Sequence, residues 1–211
     1  VVVGAAGSVT DSDADGLLDG WEQLFGLRSD SRLLGEGTLP DPDGDGVSNL
    51  AEFRAGTHPL GNRQRFVAEG ATSQFFNTSF ALLNIWNEPV TANLRFLKAD
   101  GSASSYGVAL RPRSRATVDV GTLAGMGKAT FSTTVESNGL LVADRTMTWG
   151  DGTGSHSERA LVSPAPTWYL AEGATHSGFD LFYLLQNPSD SATMVNVRYL
   201  LPSGRPLEKT Y

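Results

Sequence analysis

Acidic residues recur at alternate positions in two short windows of the sequence. The first window runs from Asp11 to Glu22 and the second from Asp41 to Glu52, and each reads Asp-x-Asp-x-Asp-Gly, five residues, then Glu. Together they hold nine of the 23 acidic residues in a chain whose formal net charge is −7. Like charges at this density repel one another unless a cation lies between them. The spacing therefore predicts a cation site in each window.

The spacing matches a twelve-residue EF-hand-type calcium loop. Calcium takes about six to eight oxygen ligands, and alternate loop positions bring side-chain oxygens to one side of a curling backbone. Glycine at the sixth position allows the sharp turn. We predict one Ca²⁺ in each loop. The ligands are Asp11, Asp13, Asp15, the Leu17 carbonyl, Asp19 and Glu22 in the first loop, and Asp41, Asp43, Asp45, the Val47 carbonyl, Asn49 and Glu52 in the second.

Aspartate–glycine clusters are also common in solvated turns, which is the alternative interpretation of each window. Two complete matches that begin 30 residues apart favour the calcium loop. After each loop, apolar residues at helical spacing lead to a glycine, Gly26 or Gly56, which predicts one short helix ending there. The segments before the loops contain glycine or proline and are not helical. Each unit is predicted to be a loop followed by a single short helix.

These two units resemble the thrombospondin type 3-like calcium repeats of bacterial secreted proteins. In that family, paired calcium loops form a small rigid module between larger extracellular domains. The resemblance therefore implies a paired calcium-loop module at residues 11–60 and an extracellular or cell-surface location in a secreted bacterial protein. Ala14 stands where glycine is common, and no ligand is lost by that. The segments that carry the resemblance are Asp13-Ala14-Asp15-Gly16-Leu17-Leu18-Asp19-Gly20-Trp21-Glu22, Gly26-Leu27, Asp41-Pro42-Asp43-Gly44-Asp45-Gly46-Val47-Ser48-Asn49-Leu50-Ala51-Glu52-Phe53 and Gly56-Thr57-His58-Pro59.

The rest of the chain contains an internal repeat. Val67-Ala68-Glu69-Gly70-Ala71-Thr72 recurs 103 residues later as Leu170-Ala171-Glu172-Gly173-Ala174-Thr175. Such a register over a long stretch predicts duplication, with a first copy at residues 65–163 and a partial second copy at residues 167–211. Residues 1–10 are assigned to a linker or to the end of a preceding region. The same offset pairs Phe76 with Phe179, Asn84 with Asn187, Asn93 with Asn196 and Arg95 with Arg198.

The repeat is predicted to be all-β. Val195, Val197 and Tyr199 alternate with polar residues, which is strand periodicity, and turn signals such as Ser137-Asn138-Gly139 separate the candidate strands. About six or seven short strands per copy indicate an antiparallel sandwich. The fold class is mainly β: a small double calcium-loop module with short helices, followed by an antiparallel β-sandwich repeat whose second copy is truncated. The Ala-Glu-Gly-Ala-Thr opening resembles an uncharacterised repeat of large secreted bacterial proteins, which implies location and architecture but no activity.

The sequence offers little for catalysis. The absence of cysteine excludes disulfides, zinc–thiolate sites and cysteine nucleophiles. His156 lies in Gly154-Ser155-His156-Ser157-Glu158, a predicted polar loop in which a Ser/His/Glu arrangement is conceivable. Catalytic triads are assembled in space, however, and neighbours in one loop rarely form them. We therefore predict that the chain is not an enzyme.

Two features leave a carbohydrate-binding alternative open. Arg111, Arg113 and Arg115 alternate and could meet an anionic glycan, although a solvated sheet edge is the favoured interpretation. Several aromatic residues could stack on sugar rings, although burial in the sandwich is the commoner outcome. Exposed, coplanar rings would favour sugar binding. The residues concerned are Phe75, Phe76, Trp86, Trp149 and Trp168.

Charge and hydropathy limit the partners. An acidic chain is a poor match for nucleic acid, where binding depends on neutralising phosphates. No apolar run approaches the roughly 20 residues of a membrane span. The leading hypothesis is a non-catalytic, extracellular, calcium-rigidified spacer with a structural or adhesive role, whose partner is a cell-surface protein or polysaccharide. The alternative is an accessory carbohydrate-binding segment of a secreted hydrolase.

Overall fold

The computed structural model describes residues 9–30, 40–189 and 191–211, so most of the predicted N-terminal linker lies outside the described residues. The described chain is mainly β with two short helices and antiparallel sheets, which confirms the predicted fold class. No helix in these three ranges is long and apolar enough to cross a membrane. The elements are α1 (Asp19–Phe25), α2 (Asn49–Ala55), β1 (Arg63–Thr72), β2 (Phe76–Asn84), β3 (Val90–Lys98), β4 (Ala103–Leu110), β5 (Arg115–Asp119), a 3-10 turn (Val120–Thr122), β6 (Ala129–Ser137), β7 (Leu141–Trp149), β8 (Gly154–Arg159), β9 (Asn196–Leu200) and β10 (Pro206–Thr210).

Two four-stranded sheets enclose the main core. The first sheet has the strand order β1-β6-β3-β4 and the second β5-β2-β7-β8, with antiparallel pairing throughout both. Alternate residues of each strand point inward, as the period of two requires. Phe80 on β2 and Phe96 on β3 are both fully buried, and their ring centroids lie 6.2 Å apart. The core is therefore formed by residues from both sheets.

Strand β8 corrects one sequence interpretation. The segment around His156, predicted to be a polar loop, pairs with β7 from Asp144–Arg159 to Trp149–Gly154. Its side chains are mostly exposed, so the sequence has no apolar alternation to announce a strand. The loop prediction is wrong because the backbone pairing to β7, and not side-chain burial, makes this segment a strand.

The opening of the repeat is a β-bulge in β1. The register between β1 and β6 shifts just before Gly70, where a Cβ atom would overlap the ring of Phe131. The bulge adds one residue to β1 and turns Glu69 toward Arg145 on β7. Glu69 Oε2 lies 3.3 Å from Arg145 Nη2. Arg145 is fully buried, so Glu69 supplies a charge that this guanidinium requires. In the first copy, Glu69 and Gly70 are therefore each explained by a structural contact.

The hairpin β9–β10 has the same register as β3–β4. Asn196 pairs with Thr210 as Asn93 pairs with Gly107, and all five pairs of the second hairpin follow the 103-residue offset. Between β8 and β9, the described residues form no further helix or strand beyond a bridge from Leu161 to β1. The repeat is therefore visible in the hairpin but not as a second sandwich.

The helices lie on the outer face of the first sheet. Arg95 Nε on β3 donates to the Ala55 carbonyl at 3.2 Å, and Asn93 Nδ2 donates to the Gly56 carbonyl at 2.8 Å. Leu24 of α1 lies against Gly107 of β4, where a Cβ would meet the leucine side chain. The segment that contains the two acidic loops and the first sandwich are thus in direct contact, an arrangement that the sequence did not indicate.

His58 is buried at this junction. It is 2% exposed, its ring centroid lies 4.4 Å from that of Phe25, and its backbone N–H donates to Glu136 Oε2 at 3.0 Å. The Leu60 N–H donates to Nδ1 at 3.0 Å, so Nε2 carries the ring proton toward Thr91. Burial lowers the pKa of His58 to about 4. The imidazole is therefore neutral in the folded chain at neutral pH.

The junction makes stability depend on pH. Between pH 6.5 and about 4, unfolded His58 binds a proton that the folded chain excludes, so the contribution of His58 to the free energy of unfolding decreases as pH falls. The contribution is about 3 kcal/mol over this range. His58→Asn should remove it, as measured by urea denaturation at pH 7 and pH 4.5. The exposed His176→Asn serves as control and should keep the wild-type difference; an unchanged difference in His58→Asn contradicts the assignment.

The bulge glycine gives a second prediction. Gly70→Ala places a methyl group within the ring of buried Phe131, so we expect a loss of about 1–3 kcal/mol in thermal or urea unfolding. Gly127→Ala is the matched control, because its Cβ would be 3.6 Å from the nearest described atom, an ordinary contact. Equal stability of the two variants would show that β1 tolerates a side chain at the bulge.

Candidate metal centre

In both acidic loops the first aspartate accepts the same two backbone hydrogen bonds. Asp11 accepts from the Asp15 N–H at 3.1 Å through Oδ1 and from the Gly16 N–H at 3.0 Å through Oδ2. Asp41 makes the same two contacts in the second loop, at 3.1 and 2.8 Å. The first aspartate of each loop therefore bends the backbone around its own carboxylate.

The fifth and seventh positions are also fixed. Asp15 Oδ1 accepts from the Leu17 N–H at 2.8 Å, and Asp45 Oδ1 accepts from the Val47 N–H at 2.7 Å. The glycine between them has a positive φ, 95° at Gly16 in the first loop, where an L side chain would be strained. The predicted carbonyl ligands Leu17 and Val47 are thereby held next to the aspartates.

The aspartates converge in both loops. One oxygen from each of Asp11, Asp13 and Asp15 lies within 4.8 Å of the other two, and Asp41, Asp43 and Asp45 do the same. Two oxygens that each contact one calcium ion at about 2.4 Å are separated by at most about 4.8 Å. The structure thus brings together the first three predicted ligands of each site at a spacing that fits one ion.

The last position of each loop is a buried glutamate. Glu22 is 0% exposed and Glu52 is 1% exposed. Both carboxylate oxygens of Glu22, and Oε2 of Glu52, are buried without a hydrogen-bond partner. They do not belong to the two groups of mutually close aspartate oxygens. A buried ionised carboxylate without a partner is costly, so each glutamate is favoured either in its protonated form or with a positive charge beside it.

The surroundings of these glutamates disfavour a negative charge. Burial raises the pKa of Glu22 to about 7, and repulsion from Asp15 and the other aspartates of its loop adds to the shift. Burial likewise raises the pKa of Glu52 to about 8, with Asp43 the next cause. A bound cation would reverse this balance, because it is attracted to the ionised form of every one of these groups.

The ninth positions differ between the loops. Both oxygens of Asp19 accept hydrogen bonds from Ser12, from its N–H at 2.8 Å and from its hydroxyl at 2.6 Å. Both oxygens of the Asp19 carboxylate thus have hydrogen-bond partners in Ser12, and the ninth position of such a loop often contacts calcium through water. Asn49 is fully buried in the second loop. Sequence reasoning missed Ser12, since serine next to aspartate is common in any turn.

One apolar cluster supports both loops. Leu17 and Trp21 are buried, and the Trp21 ring lies 5.3 Å from Phe25 and 5.4 Å from Phe53 of the second unit, measured between centroids. Leu27 completes the buried set. Each predicted helix is confirmed and ends at its glycine, in the left-handed conformation. The two sites are therefore built on shared packing.

The other candidate residues are placed less favourably for chemistry. His156 Nδ1 lies 3.3 Å from Arg145 Nη2, and Glu158 forms an ion pair with the same arginine. Ser157 Oγ is 2.9 Å from Thr146 Oγ1. The residues of the suggested Ser/His/Glu arrangement therefore have other partners along the β7–β8 pair.

The aromatic residues are neither fully buried nor coplanar. Phe75, Trp86 and Trp168 are 55%, 49% and 54% exposed, so the expectation of burial is wrong for these three. The ring planes of Phe75 and Phe76 meet at 89°, and those of Phe76 and Trp149 at 56°. The three arginines at and before β5 are exposed, as expected for a solvated sheet edge. They are Arg111, Arg113 and Arg115.

Comparison with known proteins adds little. No family model and no curated protein matches the chain. The crystal structure of Thermotoga maritima 1070 is 17% identical with a TM-score of 0.45 and covers 49% of this chain and 96% of that one. The Anabaena sensory rhodopsin transducer is 18% identical with a TM-score of 0.35 and covers 39% and 93%. At these values neither likeness bears on function.

The buried glutamate of the first loop can be tested without metal. The raised pKa means that stability is highest while Glu22 is protonated and decreases as pH rises through about 7. In chelator at pH 8, Glu22→Gln should therefore raise the free energy of unfolding, on the order of 1–2 kcal/mol, and the gain should vanish at pH 5. The exposed Glu88→Gln should change neither value. If Glu22→Gln were less stable than wild type in chelator at pH 8, the ionised Glu22 carboxylate would not be destabilising the metal-free chain.

Proposed function

We propose that this chain is a non-catalytic, calcium-binding structural segment in which two calcium ions rigidify residues 11–59 beside a β-sandwich repeat. The observation that carries the proposal is Glu22, a fully buried carboxylate whose two oxygens have no hydrogen-bond partner and whose charge is repelled by its own loop. Its position is the one at which an EF-hand-type loop provides a bidentate ligand. The same holds for one oxygen of Glu52.

The donor set favours calcium over other cations. Both loops offer oxygen donors alone, which suit hard cations, and neither contains the histidine or cysteine that zinc and copper prefer. Magnesium requires a near-octahedral shell and keeps several waters. A loop with three aspartates, a backbone carbonyl, the ninth-position ligand and a bidentate glutamate provides about seven oxygens, against about six in that shell. His58 is directed to Thr91 and is not a candidate ligand.

The biological setting is part of the proposal. The resemblance to thrombospondin type 3-like repeats supports a secreted or cell-surface chain, where calcium is abundant and affinities of about 10⁻⁴–10⁻³ M suffice. We infer a spacer or adhesive role in which calcium fixes the geometry between neighbouring domains and the partner is a cell-surface protein or polysaccharide. The carbohydrate-binding alternative is less favoured, because the aromatic rings near Phe76 do not lie in one plane.

Isothermal titration calorimetry of the whole chain tests the proposal. We expect two calcium equivalents with dissociation constants of about 10⁻⁴–10⁻³ M, little competition from equimolar magnesium, and a change in the emission of Trp21, which is buried beside Glu22. Asp15→Ala should remove one equivalent and Asp45→Ala the other. Asp144→Ala, an exposed aspartate on β7, is the control and should leave both. No heat at millimolar calcium would refute the proposal.

A further inference from the structure

We propose that calcium in the second loop stabilises the sandwich, because the sandwich holds the C-terminal end of α2, the helix that carries the ligand Glu52. This inference rests on the proposed calcium binding and extends it to a thermodynamic coupling between the ion and the first sheet. It predicts that calcium binding stabilises strands that provide none of the calcium ligands.

The coupling begins at Glu52. Its carboxylate is the last ligand of the loop, and its backbone carbonyl accepts from the Gly56 N–H at 2.7 Å and from the Thr57 N–H at 3.0 Å. These bonds close the end of α2, where Gly56 has a left-handed φ of 71°. The ligand and the helix end are therefore parts of one turn. Ordering the Glu52 side chain and backbone around an ion orders Gly56 as well.

The sandwich completes this helix end. The last carbonyls of a helix have no partner within it, and here the Gly56 carbonyl accepts from Asn93 Nδ2 at 2.8 Å and from Ser105 Oγ at 2.6 Å. Asn93 is 1% exposed and Ser105 is 5% exposed, so these bonds are shielded from water. If α2 loosens, buried polar groups on β3 and β4 lose their partners, which destabilises the sheet.

The first loop has a weaker connection. Helix α1 contacts the sandwich through the side chains of Leu24 and Phe25, both of which lie against Gly107 of β4. Apolar contacts of this kind are not directional and tolerate small movements better than buried hydrogen bonds do. The second site should therefore be coupled to the sandwich more strongly than the first.

The hairpin β9–β10 is an internal comparison. It carries the same donors, Asn196 and Arg198, but it has Glu208 where β4 has Ser105 and Thr210 where β4 has Gly107. Arg198 pairs with Glu208 at 3.3 Å, and Thr210 Oγ1 donates to Asn196 Oδ1 at 2.6 Å. The side chains that receive a helix end in the first copy are thus partly engaged within the second hairpin, whose amides should not respond to calcium.

Hydrogen exchange on the full chain, with and without calcium, tests the coupling. Calcium should slow amide exchange in β3, β4 and β6 by about fivefold or more, within the range of ordinary coupling free energies, while β9 and β10 remain unchanged. Ser105→Ala should reduce this effect and, because the coupling is reciprocal, should also weaken calcium binding at the second site. Ser157→Ala, an exposed serine on β8, is the matched control and should behave as wild type.

The outcomes separate the two proposals. If calorimetry detects two calcium ions but exchange in β3, β4 and β6 does not change, the coupling is wrong and the proposed function stands. If neither measurement responds to calcium, the proposed function fails and the coupling fails with it. If Ser105→Ala and Ser157→Ala reduce the effect equally, the Gly56 contact does not carry the coupling, and the inference is overturned.

Discussion

The burial of two glutamate carboxylates at the ends of the acidic loops is the constraint on which the helical part of this structure depends. An ionised carboxylate removed from water requires an opposite charge or several hydrogen bonds, and the protein provides Glu22 with neither. Its neighbours are aspartates, which repel it. The fold therefore places an electrostatic cost at a position where a divalent cation would offset it. The curvature of the loops, the start of each helix and the shared apolar cluster together hold the two glutamates in these buried positions.

The β-sandwich provides what the loops lack. Residues 11–30 and 40–59 offer one small apolar cluster around Trp21, which is little to hold two charged loops in place. The first sheet adds buried polar partners for the end of α2. It also provides Thr91 as a hydrogen-bond partner for His58, whose ring packs on Phe25 of α1. Because small modules with small cores are marginal by themselves, the docking contributes to the rigidity that the proposed spacer role requires.

The two copies of the repeat can be compared at the Ala-Glu-Gly-Ala-Thr motif and at one hairpin. In the first copy, Gly70 lies where the bulge in β1 brings the backbone against the ring of Phe131, and Glu69 pairs with buried Arg145. The same motif recurs in the sequence as Glu172-Gly173. The hairpins at the 103-residue offset keep their register, although the residues that face outward from β4 and β10 differ. The two hairpins thus share a backbone register while the side chains on their outer faces differ, and among the described residues only the first hairpin receives a helix end.

The sequence by itself determined the loop positions, the glycine-terminated helices and the β class, because each depends on local spacing: alternate aspartates, the helical period before Gly26 and Gly56, and alternation along strands. It did not reveal β8, whose exposed residues are held by backbone pairing to β7. It did not indicate the burial of Glu22 or His58, the ion pair between Arg145 and Glu69, or the bonds from Asn93 and Ser105 to Gly56. These contacts join residues 37 to 78 positions apart or depend on shared packing, so only the tertiary structure decided them.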